Sequence, residues 1–429
     1  MRAAFALLIL VATAVPAWAT APNCRDGDAT DDRIAFMDVQ REYMRVETLY
    51  PEIYKNYPVV ELITMGVGGL IWERHGHIAL CVRNSPTDED CYNYGIGDFH
   101  HPVKMGAGFF RGTHSFYVGR MDPGNMFMTY VCADRTVYVQ PLPLTDAEEQ
   151  DVIKKLEFDV KEENKSYAYD HFWDNCTTRV RDDLDHATGG KLKALTGPPD
   201  DRTYRDLARG GFYGMRVPLL ITDIAMGRVT DRVPTYWEKM FLPDYLREAA
   251  EKAWGIKPVP IYTREGPPPL EHGPSGRILF ALVILLLTSP AWIFRLVRRF
   301  EKTGIALAVM PYWLLGTIFW FLAIISPLPY VRWNESCLVL LPTDLMLVWF
   351  LSPERRKKYA RGRVYSIVVV AALLAVNVLK QPLWPLLLWP LVPAAVVGFW
   401  PAKPEAEKAP EKASEKKPGT KGKAKAKKA

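Results

Sequence analysis

Trp173-Asp174-Asn175-Cys176-Thr177-Thr178-Arg179 is the stretch on which the reading of this chain turns, together with His75-Gly76-His77 about a hundred residues earlier. Cys176 follows two polar residues and opens a segment with helical spacing, Val180 and Leu184 ahead of a Gly189-Gly190 stop, so a helix is expected whose first turn holds the cysteine. Free backbone N–H groups and the positive end of the helix dipole favour a thiolate there. His77 begins the apolar run Ile78-Ala79-Leu80-Cys81-Val82, which reads as a buried strand behind a glycine turn. A histidine at a strand edge facing a cysteine at a helix start can serve as base and nucleophile although the two are far apart in sequence. The pair alone carries little weight, because the chain has six cysteines and eight histidines and cysteine is often buried and inert.

Context adds weight. Arg2, the apolar run from Ala3 to Val15 and Ala17-Trp18-Ala19 read as a secretory signal peptide of residues 1–19, cleaved before Thr20. Cys24 follows Ala21-Pro22-Asn23, which lacks the small residue a lipidation site requires, so the mature end is exported without a lipid. Five cysteines (Cys24, Cys81, Cys91, Cys132 and Cys176) fall in the exported part, an odd number. With Cys176 as the free thiol, the other four can pair in three ways. Cys81 and Cys91 flank a turn-rich joint between two strand-like runs, which favours a disulfide across a hairpin, and Cys24 with Cys132 follows by elimination.

The net charge of +6 resides in residues 401–429, which hold ten lysines and four glutamates. The rest of the chain is near neutral, which argues against a nucleic-acid face and marks 401–429 as a disordered tail.

Residues 20–265 have mixed composition and enough length for one globular domain with a core. Residues 33–50 read as a helix, strand-like runs follow at 78–82, 91–94, 115–119 and 136–141, and 146–164 reads as a helix capped by Thr145 or Asp146. Residues 59–71 are apolar and rich in glycine, without an assigned element. Gly266-Pro267-Pro268-Pro269 opens a stiff linker over 266–277.

Five apolar stretches follow within 278–400, near 278–294, 305–325, 338–351, 364–379 and 383–400, several approaching the about 20 residues that span a bilayer. The third carries Asp344, and the fifth is interrupted by Pro385, Pro390 and Pro393. Basic clusters follow the first stretch (Arg295, Arg298, Arg299, Lys302), the third (Arg355, Arg356, Lys357, Lys358) and the fifth, whereas Arg332 and Lys380 alone follow the second and fourth. That alternation predicts five crossings, an exported N-terminal domain and a cytoplasmic tail. A domain held just outside a membrane points to a substrate at or in the bilayer.

In a thiol mechanism His77 takes the proton of Cys176 and returns one to the leaving group, while the backbone N–H of Cys176 and a neighbour hold the oxyanion. Asn93, on the next strand-like run, is the candidate third group that orients His77, with Tyr94 and His75 behind it. Arg179 and Arg181 are candidates for binding a phosphate headgroup, in competition with pairing to Asp182, Asp183 and Asp185. Asn334, between Trp333 and Glu335 near the third apolar stretch, is a further candidate for substrate contact. His75, His77, His100, His101 and His114 could supply metal ligands, but no C-x-x-C or H-E-x-x-H spacing exists, so neither a metal nor a cofactor is expected.

The order of histidine then cysteine, with Gly76-His77-Ile78-Ala79-Leu80 and Asn175-Cys176-Thr177-Thr178 as landmarks, resembles circularly permuted NlpC-type papain-like domains and is similar to the lecithin-retinol acyltransferase group. Gly76-His77, Tyr92-Asn93-Tyr94-Gly95, Asp174-Asn175-Cys176-Thr177-Thr178 with Arg181-Asp182, and the Trp333-Asn334-Glu335 loop resemble the bacterial Lnb-type lipoprotein N-acyltransferases. This resemblance implies an α+β fold, a permuted papain-like periplasmic domain followed by a bundle of about five transmembrane helices. It also implies an inner-membrane transacylase with a phospholipid as acyl donor. The acyl chain would pass through a thioester on Cys176, with His77 as base, to the α-amino group of a diacylglyceryl-cysteine lipoprotein. The lysine tail and the Cys81 and Cys91 pair depart from the pattern. The chemistry agrees, since amines attack thioesters far more readily than esters. Three other readings stay open: a membrane-anchored thiol peptidase or amidase, a phospholipase without an acyl acceptor, and a non-enzymatic receptor or assembly protein with an inert Cys176.

Overall fold

The computed structural model describes residues 29–97, 107, 108, 110–113 and 115–401. The signal peptide, Cys24, His100, His101, His114 and the lysine tail lie outside them. In chain order the sheet domain runs α1 (Ala29–Leu49), β1 (Val59–Met65), β2 (His77–Ser85), β3 (Asp88–Ile96), β4 (Ser115–Met121), α2 (Pro123–Cys132), β5 (Val137–Pro141), α3 (Asp146–Asp159), β6 (Ser166–Ala168) and α4 (Cys176–Ala187). It continues with α5 (Tyr204–Gly210), α6 (Arg216–Ala225), α7 (Tyr236–Lys239), α8 (Pro243–Trp254) and β7 (Val259–Tyr262).

The strands form one antiparallel sheet of seven in the order β6-β4-β3-β2-β1-β5-β7. β1 lies near its middle and is buried at every position, because helices cover both faces. Side chains alternate across a strand, so each face collects every second residue. Leu62, Ile78, Leu80 and Tyr94 pack with Val152 and Leu156 of α3, Val180 and Leu184 of α4 and Leu246 of α8. Ile63, Met65, Ala79 and Cys91 pack on the other face with Val39 and Val46 of α1 and Met126 and Phe127 of α2. The register sets Met65 opposite His77, which puts His77 at the end of its strand, and sets Cys81 opposite Cys91. Those two cysteines are joined by a disulfide, S–S 1.93 Å. The other expected pairing, Cys24 with Cys132, involves a residue outside the described set.

A helical region follows: α9 (Arg277–Leu296), α10 (Glu301–Ile325), α11 (Pro329–Arg332), α12 (Ser336–Val339), α13 (Pro353–Ala375) and α14 (Trp384–Phe399). Among the described residues, two helices, α9 and α10, are long and apolar enough to cross a membrane. Only 22% and 28% of their apolar windows is buried, so they present large exposed side chains such as Ile278, Leu286 and Ile324. The expected five crossings are not all formed as membrane-length helices. The third stretch breaks at Pro342 into four-residue α12 and a 3-10 turn over Pro342–Leu347, and Asp344 in that turn is fully buried. α13 opens with a charged run from Glu354 to Arg363, and α14 has 16 residues, about 24 Å of helix against about 30 Å of hydrocarbon.

Asp344 is held by Arg363 in a fork, Nε to Oδ1 at 2.6 Å and Nη2 to Oδ2 at 2.9 Å, and Nη2 also reaches the Val339 carbonyl at 2.7 Å. Both residues are sealed from solvent. Asp344→Ala is expected to destabilise the helical region by about 3–5 kcal/mol, because the guanidinium is left buried without its counter-charge. Thermal unfolding in detergent checks this, and an unchanged midpoint would show that the pair contributes nothing.

The helical region also grips the sheet domain. Arg277 at the start of α9 donates twice to Asp223 of α6, at 2.9 and 3.1 Å, and Asn334 Nδ2 donates to the Ile224 carbonyl at 2.9 Å. Tyr330 of α11 packs edge-on against Phe172, at 5.1 Å between ring centroids.

Candidate active site

The Asn-Cys-Thr-Thr motif is a helix start. Asn175 is the N-cap of α4, its Oδ1 accepting the Thr178 N–H at 2.8 Å while Thr178 Oγ1 accepts the Asn175 N–H at 2.8 Å, a reciprocal capping box. Asn175 Nδ2 donates to the carbonyls of His171 and Phe241, at 2.8 and 2.9 Å, which ties the incoming loop to the segment before α8. Asp170 and Asp174 exchange backbone hydrogen bonds at 2.9 and 3.1 Å, closing a tight loop just before the cysteine. Cys176 is thereby fixed as the first residue of α4.

Cys176 is a free cysteine and 8% exposed. Burial pushes its thiol above the usual 9, opposed by hydrogen bonds from Thr177 and from the backbone N–H groups of Ile78, Thr177 and Cys176 itself. The backbone donors of the helix start do lower it, but desolvation outweighs them, which favours the thiol as the resting form. The Ile78 donor also locates the sulphur, at the peptide that follows His77. Gly95, φ 84°, leaves room beside it: a β-carbon there would stand 3.4 Å from Cys176 Cβ and 3.7 Å from the Tyr167 hydroxyl.

His77 extends toward α2. Its Nε2 lies 3.2 Å from Asn93 Oδ1, and its ring stacks on Tyr130 at 5.8 Å and 24°. With a carbonyl oxygen as partner, Nε2 carries the proton and Nδ1 is the free base. Burial first, then the charge of Arg135, pushes this imidazole down to about 4, against the raising effect of the Asn93 bond. His77 is thus neutral at neutral pH, the form a general base needs. Asn93→Ala is expected to slow Cys176 acylation about tenfold, a share of the about 10²–10⁴-fold that a positioned base supplies. Stopped-flow acylation by an activated ester measures this, and an unchanged rate would remove Asn93 from the site.

Arg135 and Tyr130 escape the sequence reading. They lie on α2 and the turn after it, and the pairing of β5 with β1 brings that turn to the His77 end of the sheet. No local motif announces them.

Four expected binding residues have other duties. Tyr94 is buried and donates to Asp159 and Asp183, at 2.8 and 2.9 Å, joining α3 to α4 under the sheet. Arg179 is held twice by Asp174, at 2.6 and 2.9 Å, with its guanidinium 3.7 Å over the Tyr167 ring. Arg181 bonds Asp182 and the Trp237 carbonyl, at 2.8 and 3.2 Å. Asn334 joins the two parts of the chain, its Oδ1 accepting from Ser336 N–H at 2.9 Å and from Gln381 at 3.1 Å. Close packing and opposite charge have taken up the polar groups expected to meet a substrate.

His75 bonds the Ala208 carbonyl at 2.9 Å and packs on His171, and burial pushes the two rings down to about 4 and about 3. Among the described residues, the one triad with metal-ligand spacing is Cys81, Glu89 and Cys91, and its two sulphurs are bonded to each other.

No curated protein and no solved structure matches this chain. One family does match, over a stretch that runs from before β1 to the end of α5 and contains His77, Asn93, Arg135 and Cys176. Residues 51–210 match the family of the Lnb N-terminal periplasmic domain.

Proposed function

We propose that this protein is an inner-membrane lipoprotein N-acyltransferase that works through a thioester on Cys176. The observation that carries the reading is the placement of a free thiol at a capped helix start, against the peptide that joins His77 to Ile78. His77 Nδ1 takes the thiol proton as sulphur attacks the ester carbonyl of a lipid. The tetrahedral oxyanion is held by backbone N–H groups at the start of α4. The C–O bond then breaks, the leaving alkoxide takes the proton from His77, and an acyl thioester remains. An amine attacks that thioester, its proton passes through His77, and the thiol is restored.

The acyl acceptor is the α-amino group of a diacylated lipoprotein, and the donor is a phospholipid. Both are lipids, which suits a sheet domain gripped by a helical region with exposed apolar helices. α9 and α10 cross the bilayer, and the sheet domain stands on the periplasmic side. The shared membrane concentrates the two substrates near Cys176. No metal or cofactor takes part.

The test supplies a phospholipid with isotope-labelled acyl chains and a diacylated lipopeptide, and reads the lipopeptide by mass spectrometry. A labelled acyl amide on its N-terminus is expected. An unlabelled amide gained while the lipopeptide loses one ester chain would make the lipopeptide its own donor. Release of free fatty acid with no amide would make the protein a lipase.

A further inference from the structure

Arg135 is 4% exposed, yet its side chain makes one hydrogen bond, Nε to the Gly66 carbonyl at 2.8 Å. Glu73 comes no nearer than 3.8 Å to Nη1, beyond hydrogen-bond range, and Nη2 has no partner. Arg83 Nη1 and Arg295 Nε also lack a hydrogen-bond partner, but those two side chains, like Arg363 and Arg205, each hydrogen-bond a carboxylate, which Arg135 does not. Arg363 forks Asp344, and Arg205 takes both oxygens of Asp231 and the Met226 carbonyl, at 2.7, 2.8 and 2.6 Å. A guanidinium sunk in protein with Nη2 unmatched and its nearest carboxylate 3.8 Å away is costly, so its retention calls for an anion that completes it.

The guanidinium is also linked to His77 through an aromatic ring. It lies 4.7 Å over the Tyr130 ring, and Tyr130 stacks on His77. Gly66, its hydrogen-bond partner, and Thr136, its chain neighbour, line a cavity of about 840 Å³ that also holds Arg74, His75 and Arg264. Arg179 and Arg181, the other arginines near Cys176, already have carboxylate partners.

We propose that Arg135 is the inner end of a phosphate-binding site, where its unmatched N–H groups receive the phosphodiester of the glycerophospholipid donor and so set the donor ester over Cys176. The assignment rests on the acyl-transfer reading for its purpose. A planar fork of N–H donors matches two phosphate oxygens at once, which lysine cannot reproduce.

The test uses the full chain in detergent with Cys176→Ala, so that binding is read without chemistry. Dihexanoyl phosphatidylethanolamine and dihexanoylglycerol differ by the phosphate-bearing headgroup. Titration calorimetry should show the phospholipid binding about tenfold or more tighter, a preference that Arg135→Gln abolishes and Arg135→Lys reduces in part. No preference in the parent, or a preference that survives Arg135→Gln, overturns the proposal. If Arg135→Gln does not fold, Arg135→Lys decides alone: an undiminished preference overturns the proposal. Millimolar inorganic phosphate separates two sources of the same chemistry. A headgroup site should retain the phospholipid, whereas full displacement that depends on Arg135 would make this a free-phosphate site and overturn the lipid assignment. Because the probe protein has no nucleophile, failure of the thioester mechanism would be seen only in acyl labelling of wild type and would not alter this binding result.

Discussion

Cys176→Ser is expected to lower acyl transfer by about 10⁴-fold while the fold persists, because the substitution keeps the size and polarity of the first residue of α4 and removes the nucleophile. A hydroxyl is far harder to deprotonate than a thiol. Any oxygen ester it formed would also resist attack by an amine. Burial already holds the Cys176 thiol above its ordinary range, so the site has no surplus acidity to lend a serine. The matched control is Cys337→Ser, which alters the other free cysteine, buried in the helical region, and is expected to leave transfer unchanged. Loss of transfer in Cys337→Ser with retention in Cys176→Ser would reverse the assignment.

His77→Ala is expected to cost about 10³-fold in the rate of Cys176 acylation, within the range of a lost general base. A protonated resting thiol depends wholly on that base. The pH profile gives the sharper result. His77 is lowered from 6.5 to about 4, so its neutral form, and the activity that needs it, persists above about 4 and is lost as pH falls through that value. An ordinary histidine would lose half its neutral form at 6.5. The acid limb of acylation should therefore sit near 4, with no inflection near 6.5. The same lowering appears at His75 and His171, and the linkage has one sign for all three: stability is fully present above the unfolded value of 6.5 and is lost as pH falls below it toward the folded values. Circular dichroism across pH 4 to 7 separates loss of base from loss of fold. An acid limb at 6.5 in folded protein would mean that His77 is solvated or is not the base.

Much of the site could be read from local sequence because its chemistry is local. Asn175 and Thr178 announce a helix start by the side-chain hydrogen bonds they can make, and that start fixes Cys176. Thr145 announces α3 in the same way, bonding the Glu148 N–H at 3.4 Å. The hairpin across Cys81 and Cys91 follows from the turn residues between them. β1 has no such signature: buried on both faces, with Glu61 and Thr64 interrupting its apolar residues, it lacks the alternation that marks a half-exposed strand. β7 is four residues long and contains Pro260, so it falls below any pattern. Arg135 reaches His77 only through the sheet register, which adjacent residues do not encode.

The helical region was legible in composition and not in its breaks. Its apolar stretches look alike until Asp344 is seen to face Arg363 and Pro342 to end a helix. Charge pairing misled in the sheet domain as well. Arg181 takes Asp182, one of the carboxylates expected to compete for it, whereas Arg179 takes Asp174, on the other side of the nucleophile.

A covalent acyl-enzyme on Cys176 is read most directly from the intact mass of the purified protein after incubation with phospholipid and no acceptor. One added acyl chain is expected on wild type, mapped to the peptide containing Cys176, removed by neutral hydroxylamine and absent from Cys176→Ser. Folded wild-type protein that gains no acyl mass, or an adduct that survives in Cys176→Ser, would contradict it.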